Sequence, residues 1–468
     1  MNLSMQKHHW PIGPYQVRLP GIVLFLAMLL GVNCFNIVVL ENGFSITDHF
    51  TNLGISKDYY AKSWWEYLLP QREVYGTWAS TSVVLGALVQ QVLHPAIVLI
   101  FSQSVLIVVG FVVALRMSGS IVFAATVALL FFTVPFNYHV YSVHGTTAHG
   151  LLMSYFLLFI DASIALIRGH TRRRDFVYFG IATVLFVLGY ETWIDVVVVM
   201  VLVALPVWMA LRRNVDYETA ARFMRLVGFI IGLTVVYVIA KVSWGFGSGA
   251  GTETDLVFFY GFLSPIWDDY VTKVIAFSFT AASLVLPPEL VSSSSLMRMG
   301  PDWLVAQQHG YHPQMQFLTY ANHIFLWRFY AGIVFALLLV LAVYAWLKAW
   351  EGRTDWRIWV MLFCVAMVLF GASTHSLVKY RPMHSMPYLG YQVWVNVIGT
   401  VGLVALAVDW LVGLRKKAAL AFVAIAWTYL IWIGFSVRSA LGIYVATMQM
   451  GTYPNPIRNL VALIAQLF

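Results

Sequence analysis

The chain carries a short run of acid, aromatic and histidine residues, Glu41-Asn42-Gly43-Phe44-Ser45-Ile46-Thr47-Asp48-His49-Phe50, just after an apolar stretch. A carboxylate that is ionised at neutral pH can orient a hydroxyl nucleophile and remove its proton. Asp48 is the candidate base and Glu41, nearer the apolar stretch, the second choice. The plainer role for Asp48 is a helix N-cap or loop hydrogen bond. A third acid stands in Gly189-Tyr190-Glu191-Thr192, where Glu191 would bind an acceptor or serve structure. Cations gather elsewhere, in Thr374-His375-Ser376-Leu377-Val378-Lys379-Tyr380-Arg381-Pro382-Met383-His384. His375, Lys379, Arg381 and His384 could steady a departing phosphate, arginine through its planar fork and lysine as a point charge. Contacts to ordinary lipid headgroups would use the same residues. Arg298 and Arg328 are weaker candidates for that role.

Other constellations are absent or incomplete. There is no Gly-rich phosphate loop and no Gly-x-Ser-x-Gly elbow. Asp268-Asp269 could bind a divalent cation. His139, His144 and His149 are five apart, a spacing that does not align neighbours on a helix face. Neither supports a metal site, so no metal or cofactor is assigned.

These residues must be positioned by membrane helices. Hydrophobic residues make up 60% of 468 and charged residues 10%, with a mean hydropathy of +0.79, where a soluble domain carries roughly 25% charged residues. The expected fold is all-α and polytopic, with about 11 transmembrane helices. Candidate spans are Pro20–Leu40, Pro95–Leu115, Ser120–Phe136, Thr147–Ile167, Phe176–Tyr190, Ile194–Leu211, Val227–Trp244, Phe329–Trp350, Ile358–Ser373, Trp394–Leu414 and Ala418–Phe435. Cys34 and Cys364 lie inside apolar runs, which argues against a disulfide framework.

The net charge of +8 is not spread as a nucleic-acid surface would be. With the N-terminus inside, 17 of the 28 Lys and Arg residues fall on cytoplasmic segments, most of them in short turns. The turns carry Arg116, Arg168 with Arg172–Arg174, Arg212, Arg213, Arg222, Arg225, Lys348, Arg353, Arg357 and Arg415-Lys416-Lys417. This is the positive-inside bias, and no nucleic-acid partner is expected. Two long outer segments follow from it, Glu41–His94 and Gly245–Arg328. Aromatic stretches in them, such as Tyr59–Trp65 and Lys273–Pro287, read as helices lying in the interface. Residues 1–244 form an N-terminal membrane module containing the first outer loop (41–94). Residues 245–328 are the second loop, and 329–468 hold the C-terminal helices and the cationic loop 374–390. Ten of the 13 histidines fall at or near the outer face: His49, His94, His139, His144, His149, His309, His312, His323, His375 and His384. Together they point to an outward-facing polar cavity.

The order of these features resembles the GT-C superfamily of membrane glycosyltransferases, which includes the protein O-mannosyltransferases and aminoarabinose transferases. Asp48-His49-Phe50 with Tyr59-Tyr60 is similar to the acidic first-loop motif of the O-mannosyltransferases. Leu93-His94-Pro95, Arg116-Met117-Ser118-Gly119, Val134-Pro135-Phe136 and Gly189–Thr192 continue the likeness. The sequence departs from the motif in lacking a second acid beside Asp48 and in reducing a His-Pro-Pro-Leu to His94-Pro95. The resemblance implies inverting transfer of a sugar from a polyprenyl-phosphate-linked donor to a glycan, lipid or protein acceptor. It also implies a bacterial inner-membrane protein whose site faces the periplasm, among membrane lipids. Some members of the superfamily work without metal. The alternatives are a polymerase or ligase of lipid-linked O-antigen or polysaccharide, which would not need an acid after the first span, and a transporter.

Overall fold

In the computed structural model the described residues are 19–34, 95–133, 145–170, 172–189, 193–214, 217–243, 325–351, 355–370, 389–414 and 421–431. Every regular element among them is a helix: α1 (Leu19–Cys34), α2 (Pro95–Ser118), α3 (Ile121–Thr133), α4 (Gly145–Ile167), α5 (Arg173–Gly189), α6 (Trp193–Asn214), α7 (Tyr217–Ser243), α8 (Phe325–Trp350), α9 (Trp356–Phe370), α10 (Leu389–Leu414) and α11 (Ala421–Ile431). Four of these contain spans long and apolar enough to cross a membrane: Phe101–Ser118, Gly150–Ile167, Val196–Arg213 and Tyr217–Tyr237. Shorter apolar segments occupy α1, α3, α8, α9, α10 and α11. The long segments 41–94 and 245–324, and most of 374–390, lie outside the described residues.

Local chemistry sets the helix ends. Pro95 opens α2, where its missing N–H costs nothing. At the far end of α2, Gly119 takes φ +68°, a left-handed value that suits glycine, and its N–H reaches the Leu115 carbonyl at 2.8 Å. Ser120 then caps α3, its Oγ accepting from the Phe123 N–H at 3.3 Å. Gly169, at φ +87°, closes α4 in a Schellman motif. Its own N–H bonds to the Leu166 carbonyl, and that of His170 to Ala165, both at 3.0 Å. Asp355 caps α9 by accepting from the Arg357 N–H at 3.1 Å. Several boundaries differ from the hydropathy reading, and side-chain bonds account for two of them. Helix α7 begins at Tyr217, not Val227, because the i,i+4 pair of Glu218 and Arg222 (2.8 Å) supports a charged first turn that an apolar window rejects. Helix α5 begins at Arg173, where the Arg172 N–H is held by Asp175 at 3.1 Å.

Helices α1 to α10 run in alternating directions. Asn33 of α1 donates to Ser104 of α2 at 3.1 Å while Phe25 meets Phe111, so the two are antiparallel. Side-chain bonds then tie one set of helix ends together. Arg116 closing α2 reaches Asp161 near the end of α4, and Tyr178 near the start of α5 donates to the same carboxylate. Arg222 of α7 donates to the carbonyl of Ile167 closing α4. Arg213 closing α6 donates to the carbonyl of Trp350 closing α8. Arg357 opening α9 reaches Asp409 near the end of α10. The arginine-bearing turns therefore share one end of the bundle, here the basic end.

The core is aromatic and tightly interlocked. Phe131, Phe132, Phe156 and Trp193 are fully buried, and Phe156 packs against both Phe186 and Phe363. Small residues permit close approach where α9 meets α10: a Cβ at Gly399 would stand 2.7 Å from the Cys364 carbonyl oxygen. The outward faces are apolar instead of polar. Val23, Leu24 and Met28 of α1, Ile181 and Val184 of α5, Val236 and Ile239 of α7, and Val340 and Val343 of α8 are all more than half exposed. In water each would forgo roughly 1.5–3 kcal/mol of burial, and a hydrocarbon surround removes that cost.

Candidate functional site

Asp48, Glu41, Glu191, His375, Lys379, Arg381 and His384 all lie outside the described residues. The described helices fix where the segments carrying them are attached. Helix α1 ends at Cys34 beside the start of α2, away from Arg116, so the segment bearing Glu41 and Asp48 leaves from the end opposite the basic turns. Helix α5 ends at Gly189 and α6 begins at Trp193 at that same end, bracketing Glu191. Helix α9 ends at Phe370 and α10 begins at Leu389, again there, bracketing His375, Lys379, Arg381 and His384. The structure thus brings the attachment points of all three groups to one end.

Beneath that end the described helices offer polar groups that are unusual inside an apolar bundle. Asn33, Ser102, Gln103 and Ser154 are all at or below 1% exposure. The Asn33–Ser104 bond joins α1 to α2, and Ser102 stands where a Cβ on Gly150 of α4 would fall. Ser154 donates to the Gly150 carbonyl at 2.8 Å. The Asn33–Ser104 bond pins the first helix, whose continuation carries Asp48, to the core.

Trp193, two residues past Glu191, is a residue that sequence reasoning missed. Its ring is wholly buried between Phe186 (6.3 Å between centroids) and Tyr237 (5.4 Å), and its indole N–H has no acceptor among the described residues. Leaving a buried donor unsatisfied costs about 1–3 kcal/mol. The aromatic-acid sequence Tyr190-Glu191-Thr192-Trp193 was the only local signal.

No family model, no curated protein and no solved structure matches the chain. The chemistry of the site therefore rests on the residues themselves.

Two acids within the described helices, Asp161 and Asp409, belong to structural clamps at the basic end. Asp161, 5% exposed, takes Arg116 at 2.9 Å and the Tyr178 hydroxyl at 3.1 Å. Asp409, also 5% exposed, accepts from Arg357 Nε at 2.9 Å and Nη2 at 2.8 Å on Oδ2, while the Ser120 hydroxyl donates to Oδ1. Both carboxylates are paired and hydrogen-bonded, as buried charges must be. Among the described residues no group of three or more His, Cys, Asp or Glu side chains could hold a metal ion.

Proposed function

We propose that the protein is a GT-C-type membrane glycosyltransferase. It takes a sugar from a polyprenyl-phosphate-linked donor and passes it to a glycan, lipid or protein acceptor on the non-cytoplasmic face. The observation that supports this reading best is the shared departure point of the segments bearing Asp48, Glu191 and the 374–390 loop, opposite the arginine-rich turns. By the positive-inside bias the basic end is cytoplasmic, which puts those segments outside.

In the proposed reaction the Asp48 carboxylate removes the proton of an acceptor hydroxyl as its oxygen attacks the anomeric carbon. The bond from that carbon to the phosphate oxygen breaks, and the electron pair leaves with the polyprenyl phosphate. Configuration inverts. Lys379 and Arg381, with His375 and His384, stabilise the charge that develops on the leaving phosphate. Glu41 and Glu191 are secondary acids, and no metal is called for.

The test is a transfer assay with a polyprenyl-phosphate sugar on purified protein. Asp48→Asn keeps shape and hydrogen bonding but removes the base, and activity falls roughly 10²–10⁴-fold with thermal unfolding unchanged. Glu41→Gln has a smaller effect. A folded Asp48→Asn protein with near-normal turnover refutes the assignment.

A further inference from the structure

The arginines at the basic end are not used alike. Arg116 pairs with Asp161, Arg222 with Glu218 and the Ile167 carbonyl, and Arg357 with Asp409. Arg212 and Arg213, like Arg173 and Arg225, pair with no carboxylate among the described residues, and the first two face a groove. Arg213 spends one N–H on the Trp350 carbonyl at 3.3 Å, and Arg212 lies over the Trp208 ring with its guanidinium carbon 5.3 Å from the centroid. Both line a groove of about 360 Å³ with Trp208, Met209, Ala210 and Trp350. The groove exists because Ala210 and Ala349, at 1% and 0% exposure, let the ends of α6 and α8 approach while the bulkier indoles flank the seam.

Two exposed stripes run into it from the bilayer side. On α6, Val201, Leu205, Trp208 and Arg212 follow at intervals of four, three and four, one face of a helix. On α8, Val340, Val343, Leu347 and Trp350 follow at intervals of three, four and three, again one helix face. Each stripe is apolar at depth and ends in an indole, and the α6 stripe ends in a guanidinium. This sequence of surfaces matches a lipid that is hydrocarbon below and phosphate above.

We propose that the groove between the basic ends of α6 and α8 binds the phosphodiester headgroup of an anionic glycerophospholipid. Arg212 and Arg213 donate to the phosphate, Trp208 and Trp350 lie at the glycerol level, and the acyl chains follow the two stripes. Basic pockets between helices on the cytoplasmic side suit such headgroups, whose lipids enrich that leaflet. The proposal concerns the end of the bundle away from Asp48 and stands whether or not the transferase reading does.

The experiment titrates delipidated full-length protein with phosphatidylglycerol, phosphatidylcholine or inorganic phosphate, reading bound lipid by native mass spectrometry and melting temperature in parallel. Phosphatidylglycerol binds and raises the melting temperature, while the other two do not. Arg212→Gln and Arg213→Gln each weaken it about fivefold and together roughly 30-fold, from one cation's share apiece. Arg212→Lys with Arg213→Lys retains most of the binding, and keeps the question answerable if the glutamine pair folds poorly. Arg173→Gln with Arg174→Gln, at exposed positions of the same end, changes binding less than either single variant. Unaltered binding in the glutamine pair overturns the site. So does equal loss in the Arg173/Arg174 control, or binding of inorganic phosphate as tight as that of the lipid.

Discussion

Replacing Arg357 with alanine removes the cation that two N–H groups bring to Asp409. The Asp409 side chain is only 6% exposed, so its charge stays buried, and the Ser120 hydroxyl alone remains to stabilise it. Breaking a buried pair by removing one partner costs about 3–5 kcal/mol. The Arg357 side chain is 36% exposed, however, so solvent already screens part of the attraction and brings the cost below that range, to about 2–3 kcal/mol. At 1.4 kcal/mol per tenfold, the unfolding constant rises roughly 30- to 150-fold. A reference comes from the same end of the bundle: Lys348 and Glu351 pair at 2.6 Å, but Glu351 is 53% exposed. Losing that pair costs less than about 1 kcal/mol. Equilibrium unfolding in mixed micelles, followed by tryptophan fluorescence, compares Arg357→Ala with Lys348→Ala. The double variant Arg357→Leu/Asp409→Leu recovers much of the lost stability, because no charge is then left buried. If Arg357→Ala is no less stable than Lys348→Ala, or if the double variant is worse than the single, Asp409 is not clamped as described.

Gly399→Ala places a Cβ 2.7 Å from the Cys364 carbonyl and 3.0 Å from Met367 Cβ, so α9 and α10 must separate; overpacking of this kind costs about 1–3 kcal/mol in the same unfolding measurement, and an unchanged midpoint refutes the close packing. Arg381→Ala lowers affinity for the lipid-linked donor by about 1.5–3 kcal/mol, the size of a lost charge-assisted contact, read by direct binding to purified protein. Cysteines placed singly at Ser63 and Ser293, in a background lacking Cys34 and Cys364, react with an impermeant maleimide in intact cells. Labelling of both only after permeabilisation reverses the orientation.

The helices were legible because long apolar runs stand out: each of the runs overlaps a described helix, and four of those helices are long and apolar enough to cross a membrane. What blurred was their ends. Helix α7 continues through Glu218, Arg222 and Arg225, charged residues that lower any hydropathy average yet form good helix when paired. That the helix ends flanking the segments with Asp48, Glu191 and Lys379 share one end of the bundle was also legible, since alternating direction follows from counting turns. The clamps were not. Ser120 and Asp409 are 289 positions apart, and Arg357 and Asp409 are 52 apart, so no local pattern announces them. Asp161 and Asp409 were visible only as acids near helix ends. The groove at Trp208 and Arg212 was written in the i, i+4, i+7 spacing, but the charged turn beside it masks that periodicity.

The Ser120–Asp409 contact bears on how the chain assembles. Synthesis delivers α2, the Gly119 reversal and α3 early, whereas the carboxylate that Ser120 and Arg357 share belongs to α10, near the end of the chain. Until α10 inserts, the early hairpin lacks its closing partner and Arg357 is left with Asp355 at 3.7 Å. The N-terminal half is therefore a waiting scaffold, and α10 is the fastener that completes a turn made some 289 residues before it.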